Sequence, residues 1–411
     1  MIVPDVAIKT MRVVVMWPRF GPYHLARLNA ASQRLKEHDA SVLALETART
    51  EATYQWDVVD EPLLFARHIL FPESDYCALD SRTIRTAVFT RLGQLEPEAV
   101  VVCGWDFPES VAALRWCRKK RIPCILMSDS TQRDAKRHWW KEWLKGRLVR
   151  GFSAALVAGK PQKDYVVKLG MPPERVFTGY DAVDNDYFSR QAELIRGREQ
   201  EYRTRHGLPS RYFLSSNRFI PKKNLFRLAQ AYAKYRGRVP DPWDLVLLGD
   251  GELMPQVERS IRELRLQDCV VLPGFRQYDE LPVYYALAGC YIQASTSEQW
   301  GLVVNEAMAS GLPVLVSKAC GCCEDLVQEG QNGFSFDPFS VDEMAEKMRM
   351  ISHGGCDLAK MGQASRDIIA NWGCDNFARN LWRAAQCAVE RPVRSRDPIA
   401  SAILRVLTSV R

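Results

Sequence analysis

Short runs of apolar, β-branched residues alternate along the first half of the chain with stretches of helical spacing. The apolar runs lie at residues 11–18, 41–46, 98–105, 123–129 and 152–159. After the first run, leucines recur at helical intervals, at Leu25, Leu28 and Leu35. Buried strands that alternate with amphipathic helices are typical of a parallel sheet covered on both faces. The pattern therefore predicts an α/β fold.

The alternation stops in a charged segment and then starts again. Residues 184–210 are polar, and from residue 212 a second series of apolar runs follows, among them WDLVLLGDG, CYIQAS and LPVLVS. Because 411 residues are enough for two hydrophobic cores, we expect two similar α/β domains. The predicted divisions are a first domain at 11–183, an interdomain linker at 184–210, a second domain ending in helices at 211–390, and a basic tail at 391–411.

Composition and charge narrow the class of protein. The chain is 47% hydrophobic and 26% charged, which is typical of a globular protein, and its net charge is +7. This charge suits an anionic small substrate or a loose contact with an acidic membrane. Since there is no zinc-finger spacing and no aromatic-rich RNA-binding signature, we predict no nucleic-acid partner.

The cysteines indicate a reducing compartment. There are 12 of them, scattered and often inside apolar runs. With no signal peptide and no apolar run as long as a membrane span, they predict a cytoplasmic protein with free thiols. The closest group, Cys320, Cys322 and Cys323, has no second cluster to complete a metal site, so we interpret it as a packed loop.

Two glutamates open the segment SEQWGLVVNEAMASGLPVLVS at residues 297–317. The run CYIQAS before it predicts a buried strand, so the loop that follows lies at the carboxyl end of a sheet, where open α/β sheets bind ligands. We expect a helix to begin near Gly301, with amides from there to Val303 that face the cleft and suit a phosphate. Glu298 at the mouth and Glu306 deeper can line one pocket, because an unpaired carboxylate in so apolar a helix would be costly.

Three cations follow the first strand of the second half. They are Arg218, Lys222 and Lys223, in SSNRFIPKKN. At a sheet's carboxyl end they can offset the two carboxylates, and the arginine fork and a lysine can converge on one diphosphate. A plain basic surface loop is the alternative. Cations, helix amides and hydroxyl-binding carboxylates in one cleft together predict a nucleotide diphosphate that carries a sugar.

A dehydrogenase is disfavoured by the first strand–helix turn. That turn reads WPRFGPYH, with one glycine where a dinucleotide-binding turn has G-x-G-x-x-G. The Gly-x-Gly of LLGDGEL in the second half is interpreted as a tight turn.

The order and spacing of these motifs resemble the catalytic domain of the retaining family-4 glycosyltransferases. That family has the GT-B architecture, in which two Rossmann-like domains face each other across a cleft. The similarity runs from about residue 212 to 338 and includes the family's E-x7-E pair, Glu298 and Glu306. In the first half, WPRFGPYHLARL is similar to the family's glycine loop and GYDAVDNDYF to its interdomain segment. The resemblance implies an N-terminal acceptor domain and a C-terminal donor-nucleotide domain.

The resemblance also implies the catalytic residues. Arg218 and Lys223 should hold the diphosphate and stabilise the leaving nucleotide, an electrostatic form of catalysis. Glu298 should lie beside the transferred sugar, and Glu306 should accept hydrogen bonds from the ribose hydroxyls. The family's retention is explained without a firm covalent nucleophile, so neither glutamate is assigned that role.

The remaining donor contacts follow from the same resemblance. The backbone around Phe275 and Arg276 should meet the base, and the amides of Leu302 and Val303 the phosphate or the sugar. Gly21 should let the first domain's loop approach the diphosphate. The donor is expected to be UDP-, GDP- or ADP-linked, with no further cofactor.

The first domain departs from the family at one position. Many relatives have a histidine near the end of a strand close to the anomeric carbon, but the matching stretch here is LMSDSTQRD. His24 and Asp129 are the candidates for the acceptor side. Residues 184–186, DND, are reminiscent of a metal-binding D-x-D, but their interdomain position argues against it, and we predict no metal.

The stretch KRHWWKEWLKGRLVRGF at residues 136–152 predicts a basic, Trp-rich helix. Trp140, Leu144, Leu148 and Phe152 fall on one stripe. Two interpretations stay open: the helix lies on an anionic bilayer, which favours a lipid-linked acceptor and a position at the inner face of the membrane, or it packs on its own domain while its cations snorkel. The C-terminal tail presents the same alternatives.

The predicted function is a glycosyltransferase of the hexosyltransferase type that transfers a sugar with retention to a glycan or lipid-linked acceptor. Biosynthesis of glycans, glycolipids or cell-surface polysaccharides is the expected setting. Two alternatives remain: a non-catalytic nucleotide-sugar-binding protein, suggested by the missing histidine, and a GT-B sugar-nucleotide epimerase. Turnover of a sugar nucleotide by the purified protein separates an enzyme from a binder.

Overall fold

The first half of the chain forms a sheet of seven parallel strands. The computed structural model describes residues 10–51, 63–392 and 397–408. In chain order the strands are β1 (Met11–Trp17), β2 (Ala40–Thr50), β3 (Ala66–Asp75), β4 (Ala99–Cys103), β5 (Cys124–Ser128), β6 (Ala154–Val157) and β7 (Val176–Thr178). They lie side by side in the order β3-β2-β1-β4-β5-β6-β7, so the direction of strand addition reverses between β1 and β4.

The second half forms a sheet of six parallel strands. They are β8 (Tyr212–Ser216), β9 (Asp244–Leu248), β10 (Val270–Gly274), β11 (Cys290–Gln293), β12 (Val314–Ser317) and β13 (Gly333–Phe336). Their order is β10-β9-β8-β11-β12-β13, and Leu214 of β8 is opposite Tyr291 of β11. This sheet therefore reverses between β8 and β11, the kind of position at which open α/β sheets bind ligands.

Sixteen α-helices lie within the described ranges. They are α1 (Pro22–Lys36), α2 (Ser81–Leu95), α3 (Pro108–Lys120), α4 (Trp139–Val149), α5 (Lys160–Lys168), α6 (Asn185–Arg196), α7 (Glu199–His206), α8 (Leu225–Arg236), α9 (Met254–Glu263), α10 (Leu281–Leu287), α11 (Leu302–Ala309), α12 (Cys323–Leu326), α13 (Val341–His353), α14 (Leu358–Ile369), α15 (Cys374–Glu390) and α16 (Pro398–Leu407). None of these sixteen has the length and apolarity needed to cross a bilayer.

The inner strands of each sheet are largely apolar because both faces of the sheet are covered. In β4, Val100 and Val102 are buried in a core that α3 and α5 also enter. Val101 points to the other face and is buried with residues of α1 and α15. Successive strand residues face opposite sides, so a sheet with helices on both sides needs a continuous hydrophobic run.

The C-terminal helices return to the first domain, which corrects the predicted divisions at 211–390 and 391–411. Phe377 and Leu381 of α15 are buried in one core with Val13 and Val15 of β1. The described part of the predicted tail forms α16, whose Leu404 is buried in the core on the first sheet's other face. Apolar spacing identifies an amphipathic helix but does not say which sheet it covers.

The predicted linker at 184–210 is also corrected, because it folds as α6 and α7. Phe188, Ala192 and Ile195 of α6 are buried in a core shared with Tyr284 and Tyr285 of α10. The segment's many charged residues obscured this short apolar stripe of helical spacing. It covers the second sheet.

The chain passes between the two sheets twice, and the two passages are tied to each other. One leads from β7 into α6 and the other from α14 into α15. The Asn185 side chain donates a hydrogen bond to the carbonyl of Ile369 at 2.8 Å. The Asn380 side chain donates one to the carbonyl of Thr178 at 2.9 Å.

Replacement of Leu381 tests whether α15 is part of the first domain's core. This side chain is fully buried, so Leu381→Ala should lower the free energy of unfolding by about 3 kcal/mol. Leu194→Ala, at a side chain 66% exposed, is the matched control and should change it little. Chemical denaturation of both variants measures the difference. Equal, small effects would contradict the packing described for α15.

Candidate functional site

A cavity of about 540 Å³ opens at the carboxyl ends of the second sheet, beside the reversal between β8 and β11. Eight of the residues predicted from the sequence line it: Arg218, Lys222, Lys223, Phe275, Arg276, Glu298, Val303 and Glu306. Gly21, His24, Asp129, Gly301 and Leu302 are not part of its lining. The structure therefore brings most of the predicted donor residues together and leaves the first-domain candidates outside the cavity.

The basic loop after β8 is held against the neighbouring strand β11. Asn224 adopts a left-handed conformation, with φ of 61°. Its side-chain amide donates hydrogen bonds to the carbonyls of Ala294 and Pro338, at 3.0 and 2.7 Å. The amide of Thr296 donates to the carbonyl of Lys222 at 2.8 Å. These bonds place the two lysines beside the loop that carries Glu298.

Glu298 is the centre of an ion-pair cluster at the cavity wall. The ammonium of Lys222 lies 3.3 Å from one carboxylate oxygen, and the ammonium of Lys223 contacts the other. The hydroxyl of Ser295 donates a hydrogen bond to Glu298 at 3.2 Å. Burial would raise the pKa of Glu298, but Lys223 and Lys222 outweigh burial and hold it below its usual value. The carboxylate thus stays ionised, and its charge is more than matched by the lysines.

Glu306 lies fully buried in the first turns of α11 and has both carboxyl oxygens engaged. The hydroxyl of Tyr285 donates to one at 2.6 Å, and the hydroxyl of Tyr23 donates to the other at 2.5 Å. Burial raises the pKa of Glu306 to about 7, although the two tyrosine hydrogen bonds oppose the shift. Tyr23 belongs to α1 of the first domain, so this hydrogen bond joins the domains.

Tyr23 was not predicted from the sequence. It lies two residues after the predicted glycine loop residue, Gly21, and its ring meets Tyr278 of the second domain edge to face, with centroids 5.5 Å apart. The clue in the sequence was its place at the start of α1, at the carboxyl end of β1. Only the tertiary structure shows that this position faces Glu306.

The loop that carries Glu298 is fixed from the first domain as well. Gly301 has φ of 113°, a left-handed conformation that favours glycine, and α11 begins one residue later. Trp300 packs so closely on Gly159 of the first domain that a Cβ there would lie 2.5 Å from the indole ring. The side-chain amide of Gln162 donates a hydrogen bond to the carbonyl of Gln299 at 2.6 Å.

The Gly-x-Gly after β9 does more than form the tight turn predicted for it. Gly249 and Gly251 both line the cavity and have φ of 128° and 153°. A Cβ on Gly249 would lie 1.8 Å from the carbonyl oxygen of Asn217, which also lines the cavity. These glycines let the β9 loop lie directly against the basic loop. The motif was visible in the sequence, but its neighbour across the sheet was not.

His24 has a local structural role. The amide of Gly21 donates a hydrogen bond to Nδ1 of His24 at 3.0 Å, and the ring packs 4.9 Å from that of Trp17. Burial, aided by the nearby charges of Arg27 and Arg19, lowers the pKa of His24 to about 3. A neutral imidazole whose Nδ1 caps its own helix is poorly suited to the acceptor-side role predicted for it.

Asp129, the other acceptor-side candidate, faces the second domain. The side-chain amide of Gln299 donates a hydrogen bond to Asp129 at 3.3 Å. Burial, together with the charge of Asp181, raises the pKa of Asp129 to about 7. The charge of Glu298 also acts on Asp129, which places the two carboxyl groups in one electrostatic environment.

The motifs considered for metal binding have other structural roles. Asp184 accepts a hydrogen bond from the amide of Tyr187 at 2.9 Å and caps α6. Cys320, Cys322 and Cys323 are buried free thiols. Over the ranges that the structure describes, no cluster of three histidine, cysteine or acidic side chains could hold a metal ion.

Comparison with known sequences identifies a matching family model and several relatives. The model of the family described as glycosyl transferases group 1 matches residues 198–368. The chain is 30% identical over 207 residues to sulfoquinovosyl transferase SQD2 of Arabidopsis thaliana, a match that covers 49% of this chain and 36% of that protein. It is 30% identical over 173 residues to the GDP-mannose-dependent alpha-(1-6)-phosphatidylinositol monomannoside mannosyltransferase of Mycobacterium tuberculosis, covering 40% and 44%. The chain therefore spans less than half the length of these curated relatives.

Comparison with solved structures covers both domains. HepE of Anabaena, in a crystal structure with UDP-glucose, superposes with a TM-score of 0.69 at 17% sequence identity, over 92% of this chain and 99% of that one. The fold is GT-B. The predicted fold class, two Rossmann-like domains that face each other across a cleft, is thereby confirmed. The GT-B arrangement also explains why Tyr23 and Glu306 meet although they are 283 residues apart in the chain.

Replacement of Glu306 should change how stability depends on pH. Because its folded-state pKa is raised from 4.5 to about 7, the folded protein holds this proton more tightly than the unfolded chain. Stability is therefore lost as pH rises through this window. Glu306→Gln removes that loss. The free energy of unfolding of the variant minus that of the wild type should therefore rise by about 3 kcal/mol between pH 4.5 and pH 7. Chemical denaturation across this range measures it.

Glu298→Gln is the control, because its effect on stability should depend on pH in the opposite direction. The pKa of Glu298 is depressed, so the lysine pairs contribute stability that is present above the unfolded pKa and is lost as pH falls. The Glu298→Gln variant should therefore be less stable than wild type at neutral pH and approach it in acid. The same pH trend in both variants would contradict the assignment.

Proposed function

We propose that this protein transfers a sugar from a nucleotide-diphosphate sugar to a glycan or lipid-linked acceptor, with retention of the anomeric configuration, as a family-4 glycosyltransferase does. The observation that carries the proposal is the meeting of Arg218, Lys222 and Lys223 with Glu298 and Glu306 in one cavity. The matched relatives support it, since both are named as sugar transferases and one is named for a GDP-sugar donor. HepE was solved with UDP-glucose.

The cations are suited to the departure of the nucleotide. As the glycosidic bond breaks, negative charge grows on the β-phosphate, and preorganised cations lower the barrier by stabilising that charge. Arg218 and Lys223 line the cavity where the basic loop and the helix α11 converge. We assign the diphosphate to this position, with Lys222 as a further counter-charge and the amide of Val303 as a donor from the helix end.

Glu306 is assigned to the ribose. Its carboxyl group is at the cavity wall, and one of its oxygens is engaged by Tyr23 of the first domain. A ribose diol that binds Glu306 would replace the Tyr23 hydroxyl as the donor. Binding of the donor sugar nucleotide would then be coupled to a shift of α1 relative to the second domain. Phe275 and Arg276, which line the same cavity, are assigned to the base.

Glu298 is assigned to the transferred sugar. Its ionised carboxylate accepts hydrogen bonds from the lysines and Ser295, and sugar hydroxyls are donors of the same kind. When the diphosphate attracts Lys223, a lone pair on Glu298 becomes available to a hydroxyl. Asp129 lies across from this residue on the first domain and is assigned to the acceptor side. No covalent nucleophile and no metal are assigned.

The cellular compartment and the class of acceptor are inferred from the free cysteines and from the names of the relatives. All 12 cysteines are free, as expected of a protein in a reducing compartment, so we assign the protein to the cytoplasm. One relative is named for a phosphatidylinositol mannoside acceptor, which supports a glycolipid or glycan acceptor. Work at the inner face of the membrane would suit such a substrate.

Release of nucleoside diphosphate tests the proposal. UDP-, GDP- and ADP-sugars are first screened by thermal shift, since the true donor should stabilise the fold by mass action. The purified protein should then hydrolyse that donor slowly in the absence of acceptor. Lys223→Ala should lower turnover by about a hundredfold because it removes a charge that stabilises the leaving group.

The controls separate an enzyme from a binder. Arg259→Gln, at an exposed arginine of α9, should leave turnover unchanged. Glu298→Ala should abolish turnover but retain nucleoside diphosphate binding. Thermal stabilisation by a sugar nucleotide without any turnover, in the presence or absence of acceptor extracts, would instead favour the non-catalytic binding protein.

A further inference from the structure

The helix α4 presents three tryptophans to solvent. Trp139, Trp140 and Trp143 are 83%, 48% and 45% exposed. The predicted stripe through residue 140 is therefore only half buried: Leu148 and Phe152 enter the first domain's core, but Trp140 does not. Exposed tryptophans in such a group are unusual for a surface that faces only water, because each leaves a large apolar area unburied.

Cations lie on the same side of α4 as the tryptophans. Trp139, Trp143, Arg147 and Arg150 follow one another at intervals of four, four and three residues, which is the spacing of one helix face. The guanidinium of Arg147 lies 4.8 Å from the centre of the Trp143 ring, and the ammonium of Lys141 lies 5.3 Å from that of Trp140. The apolar and basic parts of this surface are thus continuous.

The basic end of this face opens into a cavity of about 300 Å³ that four arginines line: Arg118, Arg147, Arg150 and Arg175. The one carboxylate among its lining residues is Asp397, which accepts a hydrogen bond from Arg147 at 2.9 Å. Four positive charges around one negative charge leave a strong excess. Such an excess of positive charge favours the binding of an anion.

Two of the arginines that line this cavity have a buried Nε. Within the described part of the chain, Nε of Arg147 and Nε of Arg175 are buried and have no hydrogen-bond partner. Burial of a charged donor without an acceptor is costly, and an oxygen-rich anion bound beside these two guanidinium groups would offset part of that cost. Arginine forks match the geometry of a phosphate group.

The neighbouring helix α16 extends the apolar surface. It begins just after Asp397 and packs against α3 and α4. Its Ile399 and Val406 are 40% and 61% exposed, and their separation of seven residues places them on one helix face. The cavity thus lies between two helices that both expose apolar side chains.

We propose that this tryptophan–arginine face, formed by Trp139, Trp140, Trp143, Arg147, Arg150 and Arg175, docks the protein on an anionic membrane. The tryptophans enter the interface between headgroups and acyl chains, where amphipathic rings are favoured. The arginine cavity takes the phosphate of a lipid headgroup, and the surrounding cations are attracted to the negative surface. This inference goes beyond the proposed sugar transfer and does not depend on it.

Vesicle binding tests the proposal with the full-length protein. Phosphatidylcholine vesicles that contain phosphatidylglycerol should sediment the protein, and pure phosphatidylcholine vesicles should do so far less. Trp139→Ala/Trp143→Ala should weaken partitioning by about tenfold, because two inserted side chains are lost. Arg150→Gln/Arg175→Gln should weaken it by about thirtyfold and reduce its dependence on salt.

Matched variants in the second domain control for general charge and hydrophobicity. Arg259→Gln/Arg262→Gln makes the same change in net charge on α9, and Phe339→Ala removes an aromatic ring that is 61% exposed. Both should bind the vesicles as the wild type does. If they weaken binding as much as the variants of the tryptophan–arginine face do, the assignment to this face is wrong.

Two further outcomes would overturn the proposal. The first is no sedimentation of the wild type by anionic vesicles at low salt. The second is thermal stabilisation of the wild type by inorganic phosphate, lost in Arg150→Gln/Arg175→Gln, in a protein that does not bind vesicles. This result would assign the cavity to a soluble anion. Sugar-nucleotide hydrolysis measured in solution should be unchanged in both the tryptophan variant and the arginine variant, which keeps this test separate from the test of the transfer reaction.

Discussion

The parallel arrangement of the second sheet is the constraint on which the site depends. In a parallel sheet every strand ends at the same edge, so the loops that follow β8, β9, β10 and β11 must gather there. The reversal of strand order between β8 and β11 opens a crevice between two of these loops. One of them carries the cations and the other carries Glu298, which is why residues far apart in sequence form a salt-bridge cluster. Close packing of glycine backbones completes the cavity wall.

The two glutamates of the cavity have pKa values that are shifted in opposite directions. Glu298 is partly buried beside two ammonium groups and stays ionised, whereas Glu306 is fully buried among tyrosines and has a pKa near neutrality. The difference comes from the partners, because burial acts in the same direction on both. In the structure Glu298 therefore pairs with cations, and Glu306 pairs with hydroxyl groups. The hydroxyls that now occupy Glu306 come from both domains.

Much of this could be predicted from the sequence, for a physical reason. Buried strands and the motifs at their ends are local patterns in the sequence. The two-domain α/β fold and the residues of the second-domain cavity could therefore be predicted from it. Contacts between distant segments were not. Nothing local says that α15 covers the first sheet, that Tyr23 reaches Glu306, or that the Gly-x-Gly after β9 lies against Asn217. His24 was named because the matching stretch of the first domain lacks the family's histidine, and the sequence did not show that its ring nitrogen accepts a hydrogen bond from the amide of Gly21.

The double passage of the chain between the sheets has a mechanical consequence. Two domains joined by a single segment can rotate freely relative to each other. Two adjacent segments that are hydrogen-bonded to each other restrict this rotation. Here the Asn185–Ile369 and Asn380–Thr178 hydrogen bonds fasten the segments together. Two crossings fastened to each other limit the twist of one sheet against the other more than a single crossing would, and this supports the register of the Tyr23–Glu306 hydrogen bond between α1 and α11.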